Sequence, residues 1–328
     1  MLNMNCALVG CGNISHVHID AIMKKPALRL IAVADIKPDR AKKTAEITGA
    51  VPYTDFDKML RCEKIDCVHI CTPHYLHTPM ALKALDMGIN VIVEKPCGVS
   101  KSEIDALISA QKKSGKQVGV CFQNRYNACV MKAREIVNSR ELGNIRCIRA
   151  FLTWSRGRDY YSDDWHGKAD RECGGVLINQ AIHTLDIVQL LGGGAEVIAC
   201  HTSNDHLPGV IEVEDTASVY LSLSGGGTAV FYATTAYGDN EDVIIEAVFE
   251  KGKIRIEGEK LYVTGQDGVT KEDVADVSKV FPGQKYWGTG HKALIDDFYE
   301  CLDSGRRFGI DAVEGGKAAK LVAACYKR

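Results

Sequence analysis

The sequence predicts a doubly wound parallel α/β sheet followed by an α+β half built on a large, open, mostly antiparallel sheet. Three observations lead there. Short apolar runs alternate with helical patterns through the first third of the chain, and the first of these runs breaks into Gly10-Cys11-Gly12. Beyond Phe122 the pattern changes to long apolar/polar alternation, the mark of strands covered on one face.

In order, strands are expected near Cys6–Val9, Leu30–Asp35, Cys67–Cys71, Val91–Glu94 and Val118–Phe122, each bounded by turn residues. The segments Ile36–Thr48, Pro79–Met87 and Ser102–Lys113 carry apolar residues at helical spacing and have the length of right-handed crossovers. A helix at Cys129–Ser139, a strand-like segment Asn144–Trp154, a polar aromatic loop and a strongly apolar helix Val176–Leu191 follow. Alternating strands come next, at Asp215–Leu223, Thr228–Ala236, Val243–Phe249 and Lys253–Glu257. No helix follows Ser224-Gly225-Gly226-Gly227, which reads as a hairpin turn and not a phosphate loop. Helical patterns at His291–Leu302 and Ala312–Tyr326 close the chain, so the expected domains are 1–122 and 123–328.

With 328 residues, 46% hydrophobic and 25% charged, the chain is long enough for two cores. A net charge of −2 with no Lys/Arg-rich run argues against a nucleic-acid partner. No stretch approaches the roughly 18 apolar residues of a membrane span, and Met1-Leu2-Asn3-Met4-Asn5 leads straight into the first strand without a signal peptide, so a cytoplasmic location and no membrane partner are expected. The 13 cysteines never form Cys-x-x-Cys and are expected to be mostly reduced and buried.

The Gly10-x-Gly12 break, followed by Asn13 and Ile14 at the start of a helical pattern, places backbone N–H groups where a pyrophosphate can sit. Ser15 stands at the third fingerprint position in place of Gly or Ala. Asp35 ends the second strand about twenty residues further on, where a carboxylate accepts hydrogen bonds from an adenosine ribose diol. The competing role for Asp35 is capping the next helix. NAD is favoured over NADP because the carboxylate repels a 2′-phosphate, although Lys37 and Arg40 lie nearby.

Glu94-Lys95-Pro96 ends a strand, where ligands gather in open α/β sheets, and Lys95-Pro96 is a candidate cis peptide. The spacing of Asn179, His183 and Asp186 puts all three on one face of the expected helix. The segment Arg156–Lys168 mixes aromatic rings with charges of both signs, a composition that suits a sugar, with Arg156 and Tyr161 as candidate contacts; an ordinary exposed loop is the alternative. The pairs His16/His18 and His74/His77 lack Cys or acidic partners at ligand spacing, so no metal is expected. Tyr286-Trp287-Gly288-Thr289-Gly290-His291 is a further candidate border of the site.

The glycine turn with Asp35, Cys71-Thr72-Pro73-His74 with His77, Glu94-Lys95-Pro96, Gln123-Asn124-Arg125-Tyr126 and Gly174–Asp186 together resemble the glucose–fructose oxidoreductase, inositol dehydrogenase and rhizopine-catabolism family, Gfo/Idh/MocA. The resemblance covers nearly the whole chain. It implies a Rossmann domain holding NAD through Gly10, Gly12, Asn13, Ile14, Asp35, Thr72, Pro73, His77, Glu94, Lys95, Gln123 and Trp165. It implies Lys95 and His183 beside the nicotinamide, with Asn179 where several members carry an aspartate, and Lys95, Arg125, Arg156, Tyr161, Asn179 and His183 as substrate contacts. The Asn-Gln-x-Ile-His version resembles the branch acting on nucleotide-linked sugars and on glycosides more than the inositol dehydrogenases.

Oxidising a secondary alcohol needs a base for the hydroxyl proton, and both Lys95 and His183 can serve, the lysine once burial lowers its pKa. His183 as acceptor with Lys95 steadying the alkoxide is favoured, and the reverse assignment stays open. Asn179 can only orient and hydrogen-bond. The expected function is hydride transfer to NAD from a secondary hydroxyl, C3 foremost, of a sugar, glycoside or nucleotide sugar. Glycoside cleavage through transient C3 oxidation and a non-catalytic NAD-loaded sensor are the alternatives. The open sheet face predicts a homodimer or homotetramer.

Overall fold

The computed structural model describes residues 3–273 and 290–327. The chain divides into two compact units, one made of Met1–Phe122 and His291–Gly316, the other of Gln123–Gly290 and Lys317–Arg328.

The first unit alternates strand and helix: β1 Met4–Val9, α1 Ser15–Met23, β2 Leu28–Ala34, α2 Pro38–Thr48, β3 Val51–Tyr53, α3 Phe56–Cys62, β4 Cys67–Ile70, α4 His74–Asp86, β5 Asn90–Val93, α5 Lys101–Ser114 and β6 Val118–Val120. The six strands form one parallel sheet in the order β3-β2-β1-β4-β5-β6, the dinucleotide-binding order in which the sense of strand addition reverses between β1 and β4. Val68, Ile70, Val91, Ile92 and Val93 are fully buried, as strands covered on both faces require. The short β3 and α3 went unread in the sequence because their apolar runs are too brief to show a period. Helix α4 begins at His74, a turn before the expected start at Pro79, and carries that proline inside it.

The second unit contains α6 Ala128–Ser139, β7 Ile145–Thr153, α7 Ile182–Leu191, β8 Ala195–Ser203, β9 Thr216–Leu223, β10 Thr228–Thr234, β11 Ile244–Phe249, β12 Gly252–Glu257, β13 Lys260–Thr264 and β14 Thr270–Asp273. Its eight-stranded sheet runs β14-β13-β12-β11-β7-β10-β9-β8, antiparallel except for β7 and β10. Gly226 and Gly227, both at positive φ, make the expected hairpin between β9 and β10, closed by Leu223 N–H donating to Gly227 O at 3.1 Å.

Two helices end the chain, α8 Gly290–Ser304 and α9 Ala312–Cys325. The boundary expected from sequence placed everything after 122 in the second domain, whereas His291–Gly316 belongs to the first unit. The reason is local packing: the Phe298 ring fills the space a side chain at Gly119 would need, and Val120 N–H donates to Ile310 O at 2.9 Å. The expected helix at Val176 also starts later, at Ile182. Gly175 and Leu177 give their N–H groups to the buried Glu214 carboxylate at 2.9 and 3.0 Å, and Val176 N–H goes to Glu214 O, so residues 175–181 form turns. Asn179 therefore lies in this turn and not on a continuous helical face with His183 and Asp186.

Candidate functional site

In the first unit, β1 delivers the chain into Gly10 at φ +91, where a Cβ would lie 2.5 Å from Cys71 O, so glycine is required by backbone conformation and by the neighbouring strand end. Gly12 differs. Nothing lies within 4 Å of where its Cβ would be, leaving open space beside the N-terminus of α1, the cradle a dinucleotide pyrophosphate fits. Ser15 occupies the third fingerprint position without difficulty: it is buried, and its hydroxyl donates to Gly12 O at 2.6 Å. Asn13 is exposed and Ile14 is the N-cap residue of α1.

Asp35 performs the capping role and holds the loop as well. One carboxylate oxygen accepts Cys11 N–H and the other Lys37 N–H at the N-cap of α2, both at 2.8 Å. Each oxygen keeps a further lone pair with which to meet a ribose diol.

Thr72 and Pro73 lead into α4, and His77 on its second turn joins their turn to the Lys95-Pro96 turn. Its Nδ1 is 2.7 Å from Pro96 O and its Nε2 2.6 Å from Thr72 O. Burial holds the ring's pKa below its ordinary value against the pull of these two carbonyls. The Lys95-Pro96 peptide is cis. Lys95 is half-buried, and its N–H donates to Glu94 Oε2 at 3.2 Å.

Glu94 anchors a buried chain that sequence reading missed. Its Oε1 is 3.1 Å from His18 Nε2 and 3.5 Å from His291 Nε2. His18 Nδ1 meets His69 Nδ1 at 2.8 Å, His69 Nε2 meets the Tyr299 hydroxyl at 2.7 Å, and that hydroxyl meets Cys6 Sγ at 3.1 Å. Burial opposes the Glu94 charge most strongly, but the hydrogen bonds and charge of the two histidines outweigh it and hold the carboxyl well below the usual range. Burial also pushes the His69 and His291 rings down, toward their neutral forms. Cys121 Sγ joins His18 Nε2 and Glu94 Oε1 in a set whose atoms lie within 4.8 Å of one another, the one potential metal-holding group among the described residues; His18 thus has an acidic and a Cys neighbour that its spacing in the sequence does not reveal. A histidine inside the apolar strand Cys67-Val68-His69-Ile70 was the signal that a buried polar partner had to exist.

In the second unit, Gln123 and Arg125 are buried in a 3-10 turn, Gln123–Tyr126. Arg125, an expected substrate contact, grips Asp186 with Nε and Nη2, each at 2.6 Å, and Gln189 adds a bond to the same carboxylate at 3.2 Å. This bidentate pair is buried and braces α7.

His183 lies in the first turn of α7 and helps to line a cavity with Asn124, Asn127, Trp154, Gln180 and Thr184. Asn179 Nδ2 donates to Glu172 Oε1 at 2.5 Å and reaches the Tyr160 hydroxyl at 3.3 Å, which Gln180 Nε2 reaches at 3.2 Å. Burial, then the Glu172 charge, raises the Tyr160 pKa and keeps the phenol protonated.

Two other expected sugar contacts are engaged elsewhere. The Arg156 guanidinium lies 5.1 Å from the centre of the Trp154 ring and 5.2 Å from that of Tyr160, and Nη1 donates to Asn240 Oδ1 at 2.6 Å. Tyr161 packs in an apolar cluster with Leu207, Ile211 and Val213, and burial pushes its hydroxyl up to about 12. Trp165 is half-buried, its ring 3.8 Å from that of His166. The loop is thus more ordered than its composition suggested. Tyr286, Trp287, Gly288 and Thr289 lie outside the described residues.

Glu214 is the other carboxylate the sequence did not reveal. It takes the Gly175 and Leu177 N–H groups and accepts the Tyr326 hydroxyl at 2.5 Å, fixing the turn that carries Asn179. Burial raises its pKa against these bonds.

Among the described residues no helix is long and apolar enough to cross a membrane.

Residues 4–122 match the model of an oxidoreductase family with an NAD-binding Rossmann fold, and residues 130–255 match the GFO/IDH/MocA C-terminal domain. The oxidoreductase YrbE of Bacillus subtilis is 27% identical over 68% of this chain, which matches 64% of YrbE's own length. The D-glucoside 3-dehydrogenase of Escherichia coli is 26% identical, with 99% of this chain and 95% of that protein covered. Among solved structures, the WlbA dehydrogenase of Bordetella pertussis in complex with NADH and UDP-GlcNAcA superposes with a TM-score of 0.86 at 27% identity, over 99% of this chain and 96% of that one. The sheet order, the glycine cradle and these two family matches agree: the chain belongs to the GFO/IDH/MocA family of oxidoreductases, with an NAD-binding Rossmann domain in its first unit.

Proposed function

We propose that the protein is an NAD-dependent dehydrogenase that takes a hydride from a secondary hydroxyl, C3 foremost, of a sugar, glycoside or nucleotide sugar. The observation that carries this reading is the polar constellation of Glu172, Asn179, Tyr160 and Gln180, whose Gln180 lines one cavity with His183, a set of fixed donors and acceptors suited to a polyhydroxylated ligand. Likeness to a D-glucoside 3-dehydrogenase and to a dehydrogenase bound to UDP-GlcNAcA supports it. In this reading the bound dinucleotide supplies the hydride acceptor. Gly10, Gly12, Asn13, Ile14, Asp35, Thr72, Pro73, His77, Glu94, Gln123 and Trp165 serve its binding, His183 accepts the hydroxyl proton, and Lys95 steadies the negative oxygen. Asn179 orients the sugar. Arg125, Arg156 and Tyr161 act by holding the loop and α7 in place.

The test is NADH formation across free sugars, cyclitols, glycosides and nucleotide sugars, counting turnovers per subunit beside Lys95→Met. Many turnovers with one class, lost in the variant, are expected. A released aglycone without net NADH would move the reading to oxidation-initiated cleavage, and bound NAD that no sugar reduces would move it to a sensor.

We also propose that copies associate through the second unit's sheet. Ile198, Phe151, Tyr220, Val230 and Tyr232 are exposed, and Val230 is paired with Tyr220, and Tyr232 with Phe151, on neighbouring strands. The intervening Ala229, Phe231 and Ala233 are buried. A face of this kind favours self-association. Light scattering of a monomer at micromolar concentration would defeat the idea. As part of the same proposal we place the protein in the cytoplasm, a reducing compartment that suits 13 cysteines of which eight are buried.

A further inference from the structure

We propose that Glu172 is a positioning residue that sets the hydrogen-bonding polarity of Asn179, so that the amide meets the sugar through its oxygen. The proposal rests on the reading of Asn179 as a substrate contact.

Glu172 is 1% exposed, and both its oxygens are engaged. Oε2 accepts the Gly167 N–H and Oε1 the Asn179 amide, each at 2.5 Å. A carboxylate held by N–H donors only accepts, so it decides which end of the asparagine faces it: Nδ2 turns toward Glu172, because the flipped amide would bring two oxygens together. The nitrogen carries two hydrogens. One goes to Glu172, and the second has the Tyr160 hydroxyl at 3.3 Å. With both donors spent inside the protein, Asn179 offers a ligand acceptor capacity only.

That is the hydrogen-bonding character an aspartate would show, supplied without a charge at position 179. The negative charge sits seven residues earlier, buried, and delivered through the amide. An aspartate at 179 would instead place a second carboxylate against the first, a pair that can persist only by sharing a proton. Glutamate at 172 and asparagine at 179 are therefore two halves of one arrangement. The pair selects substrates presenting a hydroxyl donor at this point and disfavours the deoxy sugar.

The pair can be reversed chemically, and this gives the test. Glu172→Gln alone keeps an acceptor for Gly167 N–H only by turning its own NH2 toward position 179. The asparagine must then flip and present a donor, raising KM for the oxidised sugar about 10- to 100-fold, with kcat less affected. Asn179→Asp alone should be impaired at neutral pH and recover as pH falls and one carboxyl protonates. In Glu172→Gln/Asn179→Asp the glutamine donates to the aspartate, whose other oxygen again faces the ligand as an acceptor. KM is expected to return to within about 5-fold of the parent.

A double variant no better than the worse single would overturn the proposal, as would an Asn179→Asp protein with parental KM and a flat pH profile. Melting temperatures read the pair without substrate: each single variant lowers the midpoint and the double restores it. If melting recovers but KM does not, the pair exists and the assignment of Asn179 to the sugar fails. If neither recovers in a parent protein that oxidises sugar, the coupling itself is wrong.

Discussion

The two units build their candidate residues by opposite means. In the first unit the cradle is backbone: Gly10 is forced by φ and by Cys71 O, Gly12 faces open space that a Cβ would enter, and Asp35 holds the loop through two main-chain N–H groups. In the second unit the site is side chain on side chain, with Asn179 set by Glu172 and Tyr160, and Asp186 by Arg125. A backbone site tolerates side-chain variation and fails when a Cβ is added. A side-chain site keeps its shape and fails when one polar partner is changed.

His183→Asn should separate these behaviours most sharply. It is expected to lower kcat about 10²- to 10⁴-fold while the dissociation constant for NAD, read by fluorescence, stays within about twofold. Next in size, Arg125→Met leaves Asp186 buried without its fork and should cost about 3–5 kcal/mol in urea unfolding; a loss under 1 kcal/mol would show that the pair does not brace α7. Gly12→Ala should leave the melting temperature nearly unchanged, since its Cβ meets nothing, yet weaken NAD at least about 10-fold, because the methyl enters the pyrophosphate space. Gly10→Ala, by contrast, should destabilise the protein by about 1–3 kcal/mol before any ligand is added.

The smallest effect is on pH dependence, and it belongs to the first unit's histidine chain. His69 and His291 are held below their ordinary value of 6.5 in the folded state. The unfolded chain takes up protons there that the folded chain refuses, so stability should be full above 6.5 and decline as pH falls below it. Each ring contributes at most about 1.4 kcal/mol per pH unit. Glu94 has the usual depressed carboxylate behaviour: its contribution is present above 4.5 and is lost only as pH falls through its lowered value. Melting curves at pH 7.5, 6.5 and 5.5 check the slope, and His69→Asn should flatten it while lowering the curve throughout.

The same contrast explains what the sequence disclosed. The glycine turn, Asp35 and the Glu94-Lys95-Pro96 turn were legible because backbone geometry and local spacing define them. Glu172, Glu214 and the histidine chain were not. Glu172 lies seven residues from Asn179 across an irregular turn, Glu214 reaches back from the start of β9, and His18, His69 and Tyr299 meet only when α1, β4 and α8 pack together. Helical periodicity misled at Val176, where apolar spacing suggested an unbroken helix that Glu214 prevents by taking its N–H groups. The internal partners of Arg156 and Tyr161 were not legible either, because composition reports which groups a loop contains and not which of them it uses to hold itself together.

The composition of the first unit from two distant stretches of chain has a consequence for synthesis. Phe298, Tyr299 and Ile310 complete the β6 side of the nucleotide-binding sheet and its buried polar chain, so that sheet cannot mature when residue 122 leaves the ribosome. At about 5–20 residues per second it waits roughly 10–40 s for its last helix. Through that interval the β6 side and the Glu94–His18–His69 cluster lack their final cover.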